Sequence, residues 1–416
     1  LSPSPNIVST EIRLTGYWLI LWHSLSLVFS LLNDQTKLGK MKFVLAPDKF
    51  KGSLTGFEIC DAMETGIKRV FKDAVILKLP VADGGDGTLE VVRYYLKAKT
   101  IKLTVNDPLF RPVEASYLFS KDTKIAYIEM AEASGLKLLR EDEKNCIATT
   151  SLGTGELLVD AIKMGAKEII LGIGGSATND AGMGMASALG FAFLDENDQP
   201  LSPIGGNLIH VRKIDASAVD VRLKTVMVKV ACDVTNPFYG HDGAAHVYAE
   251  QKGASKKEIE ILDKGLQNLA KVLLETFGID VQHMQGAGAA GGAGAGTAIF
   301  LNATLTSGID LIKELADFDT QIKGADWILT GEGKLDGQTL SGKTINGVIR
   351  SAKKQDIPVA ALCGAIDLSI LEQEELGLDY AASIVQGVTS LDQALLSSQG
   401  NLVLATYNFA NLLKRR

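Results

Sequence analysis

The residues best suited to chemistry lie in six short segments, each mixing glycine with hydroxyls, carboxylates or lysine just after an apolar run. The first is Pro47-Asp48-Lys49-Phe50-Lys51-Gly52-Ser53-Leu54. It enters a helix whose N-cap is Ser53 or Thr55. A helix start offers free N–H groups to an anion, and Lys51 adds a full charge. A plain capped turn accounts for Ser53 but not for the two lysines that bracket Phe50. The second is Ala82-Asp83-Gly84-Gly85-Asp86-Gly87-Thr88. Its aspartates could hold magnesium, which takes one or two carboxylates plus phosphate oxygens and water, or accept a hydroxyl proton. An Asx-rich capping turn explains them equally well. The third runs from Gly172 to Gly182 and contains Gly174-Gly175-Ser176-Ala177-Thr178-Asn179-Asp180. Consecutive glycine N–H groups ahead of Ser176 and Thr178 make an anion nest. Asp180 would repel a phosphate unless a cation intervened, so it favours metal or hydroxyl binding there. The fourth is Ala231-Cys232-Asp233-Val234-Thr235-Asn236-Pro237, and the fifth is Gly286-Ala287-Gly288-Ala289-Ala290-Gly291-Gly292. The sixth starts at Thr330-Gly331-Glu332-Gly333-Lys334-Leu335-Asp336-Gly337-Gln338-Thr339 and ends in Ser341-Gly342-Lys343-Thr344.

Two generic patterns lie inside these segments. Gly337 to Thr344 fits the Walker A string G-x-x-x-x-G-K-T. Six residues, GEGKLD, separate it from the strand end at Thr330, and no Walker B strand follows, which argues against a P-loop fold. Lys343 at a helix start could still meet a phosphate. Gly286 to Gly291 fits G-x-G-x-x-G, with Asp310 near the distance of a ribose-binding acid. A tract this rich in glycine and alanine fits by composition alone.

The elements that must position these segments alternate. From Met41 the pattern predicts a strand at Lys42–Ala46, a helix over 54–71, a strand at 74–81 and a helix from about Thr88 to Leu96. Strand–helix alternation implies a parallel sheet covered by helices. Ile101–Val105, Val113–Phe119 and Lys124–Met130 then follow without helices between them, which predicts antiparallel or mixed pairing and a domain change near residue 98. A long amphipathic helix is expected at about Lys256–Phe277. Strands at Trp327–Thr330, Val359–Cys363 and 381–385 return to the first style. The expected fold class is α/β with two domains. A Rossmann- or flavodoxin-like parallel sheet uses both chain ends, residues 41–97 and 312–416, and an inserted α/β domain with a mixed sheet spans 98–311. Ligands of open α/β sheets sit outside the carboxyl ends of strands, where the glycine segments fall.

Composition narrows the class. The chain has 416 residues, 46% hydrophobic and 22% charged, which suits a globular protein of two or three domains. A net charge of −7 argues against nucleic acid or an anionic membrane as partner. The four cysteines, Cys60, Cys146, Cys232 and Cys363, form no C-x-x-C pair, so a reduced cytoplasmic enzyme is expected. Residues 17–32, YWLILWHSLSLVFSLL, are apolar but short for a membrane span of roughly 20 residues. No A-x-A cleavage site follows them. Residues 1–40 are expected to be upstream sequence outside the fold, with a signal anchor as the other reading.

Taken in order, these segments resemble the type I glycerate kinase family. The resemblance rests on Ala46-Pro47-Asp48 with Phe50-Lys51-Gly52-Ser53, Ala82-Asp83-Gly84-Gly85, Gly174 to Asp180, and Cys232-Asp233-Val234 with Asn236-Pro237. It continues through Gly286 to Gly292 and Thr330-Gly331-Glu332-Gly333 with Asp336, Gln338-Thr339 and Gly342-Lys343. It covers residues 41 to about 410; Lys49, often Ser in the family, is a small departure. The resemblance implies ATP-dependent phosphorylation of D-glycerate, with 2-phosphoglycerate favoured over 3-phosphoglycerate and magnesium as cofactor.

Phosphoryl transfer asks mainly for alignment and charge neutralisation. Lys51 and Lys343 are the lysines expected to stabilise the transferring group. Asp180 or Asp233 is expected as base, and Asp83 or Asp86 near magnesium. Asp48, Ser53, Gly84, Gly85, Gly174, Gly175, Ser176, Thr178, Asn236, Gly286, Gly288, Gly291, Glu332, Asp336, Gln338 and Thr339 are expected to bind substrate or nucleotide. The expected partner is a small molecule, D-glycerate, with no nucleic acid and no membrane; a homodimer is left open. The competing readings are an NAD-dependent oxidoreductase of a hydroxy acid, resting on G-x-G-x-x-G alone, a P-loop NTPase, resting on the Walker A string alone, and a non-catalytic ligand-binding module.

Overall fold

The computed structural model describes residues 40–84, 87–340 and 344–415, with only the backbone of Gln338 and Leu340. The expectations for Gly85, Asp86, Lys343 and residues 1–39 lie outside the described residues.

The chain opens with a buried strand, Lys42–Leu45 (β1). Phe43 and Leu45 face one way and Val44 and Ala46 the other, and all four are 0% exposed. A strand buried on both faces belongs in the middle of a parallel sheet. Thr55 caps the next helix, Gly56–Lys68 (α1), with a reciprocal capping box to Glu58. The cap is therefore Thr55 and not Ser53. Ile59, Met63 and Ile67 turn one side of α1 into the core. Val75–Lys78 (β2) and Thr88–Leu96 (α2) complete the first unit.

Three strands without helices follow: Lys99–Asn106 (β3), Pro112–Phe119 (β4) and Ile125–Glu129 (β5). The chain continues through Leu152–Lys163 (α3), Glu168–Gly172 (β6), Met183–Ala188 (α4) and Met227–Ala231 (β7). Lys256–Phe277 (α5) spans the expected range, with Ser255 and Glu258 forming its capping box and Gly278 at φ +72° ending it. Ala289–Phe300 (α6) and Thr304–Thr306 (β8) come next. A continuous helix, Gly308–Leu315 (α7), crosses the boundary expected between residues 311 and 312. The last elements are Trp327–Thr330 (β9), Thr344–Lys353 (α8), Val359–Cys363 (β10), Tyr380–Ser383 (β11) and Leu391–Leu413 (α9).

The first sheet runs β11-β10-β9-β1-β2, all parallel. Counted within that sheet this is the flavodoxin-like order 2-1-3-4-5, as expected, with its switch point between β1 and β9. The second sheet runs β8-β7-β6-β5-β4-β3. β3 and β4 pair antiparallel, as do β4 and β5, and the remaining pairs are parallel, so it is mixed. One apolar cluster is common to the two sheets, and each sheet also has a cluster of its own. Leu118, Tyr127 and Ile170 of the second sheet pack in the same cluster as Val92 of α2, Ile309 of α7 and Val44 of β1. Among the described residues no helix is long and apolar enough to cross a membrane.

Candidate active site

The switch point brings the first and sixth segments together. Past the ends of β1 and β9, the Thr330 hydroxyl donates to the Ala46 carbonyl at 2.8 Å. The Asp48 N–H donates to the Gly331 carbonyl at 2.9 Å. The Asp48 carboxylate accepts from the Lys49 N–H at 2.7 Å and from the Thr344 hydroxyl at 2.8 Å. Burial still pushes Asp48 up to about 6; the Thr344 and Lys49 bonds oppose the rise, and the nearby Asp83 charge adds to it. Glu332 accepts from the Thr339 hydroxyl at 2.6 Å, and the Asp336 N–H donates to the same hydroxyl at 3.3 Å. The described part of the sixth segment, residues 330–340, is thus a folded loop braced on Thr339, with a short helix, Gly337–Leu340, inside it.

Between the sheets lies a cavity of about 540 Å³, within the roughly 300–1,000 Å³ usual for small-molecule sites. Asp83 and Gly84 enter it from the end of β2, Gly174, Gly175 and Ser176 from the end of β6, and Asp233 from the end of β7. Gly174 and Gly175 are exposed, and a Cβ on Gly174 would meet nothing within 4 Å. This stretch is open to a ligand. A second cavity of about 490 Å³ adjoins it, lined by Thr235, Thr306, Ser307, Asp310 and Arg350. Cys232, Asp233 and Val234 line both. The Asp233 carboxylate accepts from the Gly308 N–H at 3.0 Å, in the first turn of α7. The chain passes very close here: a Cβ on Gly308 would lie 2.2 Å from the Asp83 carbonyl. Gly308 is therefore needed for the second and fourth segments to meet.

Asp180 is placed elsewhere. It is 0% exposed and accepts from the Ser151 N–H at 2.8 Å, the Ser151 hydroxyl at 2.7 Å, and the N–H groups of Gly182 at 3.2 Å and Gly184 at 3.1 Å. Burial raises its pKa against those bonds. Asp180 holds Ser151 to the start of α4 and does not face either cavity. The neighbouring Thr178 hydroxyl and the Asn179 side-chain amide are buried without a hydrogen-bond partner among the described residues.

Most of the fifth segment packs against the rest of the fold. Gly286, Gly288 and Gly291 are buried; Cβ atoms there would lie 2.8 Å from the Cys232 sulfur, 2.2 Å from the Pro237 carbonyl and 2.2 Å from the Thr178 carbonyl. These glycines let α6 lie on neighbouring loops, and only Ala289 and Ala290 reach the larger cavity. Ser53 also turns from the cleft: its hydroxyl donates to the Leu395 carbonyl at 3.0 Å and touches the Ser398 hydroxyl, tying the first loop to α9. Lys51 is exposed on the same loop. Asn236 braces its own loop, donating to the Asp242 carbonyl at 3.0 Å and accepting from the Tyr248 hydroxyl at 2.6 Å.

Two cations that the sequence reading passed over belong to the cleft. Arg350 of α8 lines the second cavity and donates to both Asp310 oxygens at 3.3 Å. Lys252 lines the first, is 3% exposed, and donates to the Ser176 hydroxyl at 2.8 Å. Neither stands in a motif; only the left-handed Gly253 after Lys252 hints at a fixed position. Among the described residues no cluster of three or more His, Cys, Asp or Glu could hold a metal by itself. Asp83 and Asp233 on one cavity fit a magnesium ion that keeps most of its ligands from phosphate and water.

Relatives agree with this architecture along its length. A glycerate kinase of Halalkalibacterium halodurans is 44% identical over 367 residues, covering 88% of this chain and 97% of that protein. A glycerate 2-kinase of Escherichia coli K12 is 41% identical over 375 residues, covering 90% and 98%. A crystal structure described as a candidate glycerate kinase 2 from Salmonella typhimurium LT2 superposes with a TM-score of 0.82 at 39% identity, covering 91% of this chain and 99% of that one. The model of the glycerate kinase family matches residues 43–414. With that match spanning both sheets and both cavities, the chain belongs to the glycerate kinase family.

Proposed function

We propose that this chain is a kinase that transfers the terminal phosphoryl group of ATP to a hydroxyl of D-glycerate. The observation that carries the reading is the full-length likeness to proteins named glycerate kinase, which takes in the complete fold. The 2-hydroxyl is favoured, in line with the name of the Escherichia coli relative. Asp233, on the wall common to both cavities, is proposed as the base that takes the hydroxyl proton. Asp83 is proposed to hold magnesium, and the exposed Gly174–Gly175 turn to meet an anionic group. When bound, magnesium supplies neutralisation of phosphate charge. The protein's own part is to align donor and acceptor and keep water out. Asp48 and Glu332 at the switch point are proposed to fix Thr344 and Thr339 respectively. We place the enzyme in the cytoplasm, supported by its four free cysteines.

The test is ADP release with ATP, magnesium and D-glycerate, with the product identified by phosphorus NMR. Glycerate-dependent ADP formation is expected, with phosphorus–proton coupling to the C2 proton. ATP binding without glycerate-dependent turnover would overturn the acceptor, and coupling to the C3 protons would overturn the 2-position.

A further inference from the structure

One buried cation of the cleft forms no ion pair among the described residues; the charges acting on it, Cys146 and the buried Asp180, oppose the effect of burial without outweighing it. Lys252 ends the turn Glu250–Lys252, and its ammonium donates to two neutral oxygens, the Ser176 hydroxyl at 2.8 Å and the Thr178 carbonyl at 2.7 Å. Among the described residues no carboxylate forms an ion pair with it. The part-buried Lys78 and Lys229, by contrast, each pair with two carboxylates. An ammonium removed from water with no direct ion pair is costly, and burial accordingly pulls this one down to about 8. The backbone that carries Lys252 is fixed. Its carbonyl accepts from the Cys146 N–H at 3.2 Å. The next residue, Gly253, sits at φ +89° with its Cα so near Lys144 that a Cβ would lie 2.0 Å from the Lys144 carbonyl. An ammonium has three N–H groups; two are spent on the loop, and the residue lines the larger cavity beside the exposed Gly174 and Gly175.

We propose that Lys252 anchors the carboxylate of the acidic substrate, its third N–H and its charge completing a site for one small carboxylate beside Gly174 and Gly175. The proposal rests on the glycerate reading above. A single buried positive charge balances a carboxylate.

The experiment compares D-glycerate with its methyl ester in the full chain and in Lys252→Met, measuring KM for each and for ATP. The parent should prefer the acid at least about tenfold, the range of a hydrogen bond to a charged group. Lys252→Met should bring acid and ester near parity and leave the KM for ATP unchanged. A variant that keeps the preference, or that loses ATP affinity and not glycerate affinity, overturns the proposal. A parent inactive on D-glycerate overturns the functional reading itself, and this with it. Should the variant not fold, the pH profile of the parent decides. Of the groups facing Lys252, Cys146 is pushed up to about 11 and Tyr248 is also raised; Asp180, Asp83 and Asp233 are carboxyls. Acid affinity should then fall about tenfold between pH 8 and 9.5 while ester affinity stays level, and a flat acid profile overturns the assignment.

Discussion

The Thr344 hydroxyl donates to the Asp48 carboxylate across 296 residues of sequence, fastening the start of α8 to the end of β1 at the switch point. Asp48 ionises near pH 6 in the fold against 3.8 ordinarily. A carboxyl raised in this way stabilises the fold fully below about pH 4, and that contribution is lost as pH rises through about 6. Asp48→Asn removes the titration. Relative to the parent its stability should grow between pH 4 and 7, by at most about 3 kcal/mol, while turnover falls. Urea denaturation at the two pH values measures the first and the ADP assay the second; an unchanged difference between pH 4 and 7 would contradict the assignment.

Asp233→Asn should leave the fold intact, because an amide oxygen still accepts from Gly308. Removing a general base typically lowers turnover about 10²–10⁴-fold. Steady-state kinetics with thermal melting tests this, and full turnover would remove Asp233 from the mechanism.

Asp180→Ala should act on stability. It strands the Ser151, Gly182 and Gly184 N–H groups in the interior, at about 3–5 kcal/mol. Chemical denaturation reads the loss directly. Unchanged stability with lost turnover would return Asp180 to the chemistry.

The two glycine nests should part company. Gly291→Ala puts a Cβ 2.2 Å from the Thr178 carbonyl at φ +69° and should destabilise by about 2 kcal/mol or more. Gly174→Ala meets open space and should stay within about 0.5 kcal/mol of the parent, its effect appearing in ligand affinity. Melting curves beside titrations separate the two, and equal melting losses would refute the contrast.

That contrast also shows what the sequence could say. Apolar runs such as Phe43-Val44-Leu45 announce a buried parallel strand locally, so both sheets were legible. So were the segments that end them, because glycine and aspartate after a strand mark the carboxyl edge. Their roles were not. Gly174 and Gly291 read alike in one dimension, and only the approach of the Thr178 backbone tells them apart. Asp180 and Asp233 are equally competent carboxylates until burial divides them. Lys252 carried no local signal, since its isolation comes from Lys144, Cys146 and Ser176, distant in sequence. Ser53 misled for the same reason: its partners, Leu395 and Ser398, lie at the other end of the chain.

Leu118, Tyr127 and Ile170 lie in one cluster with Val44, Val92 and Ile309, and this has a bearing on how such a protein can be taken apart or altered by descent. A segment cut out at residues 98–311 would carry a greasy face with nothing to cover it, and the remainder would be left with the matching wound. Neither piece would part cleanly from the other. Recombination that swaps one half for a cousin's must match the seam side chain by side chain, so lineages of this chain are expected to have diverged as wholes, with novelty confined to the loops that rim the cleft.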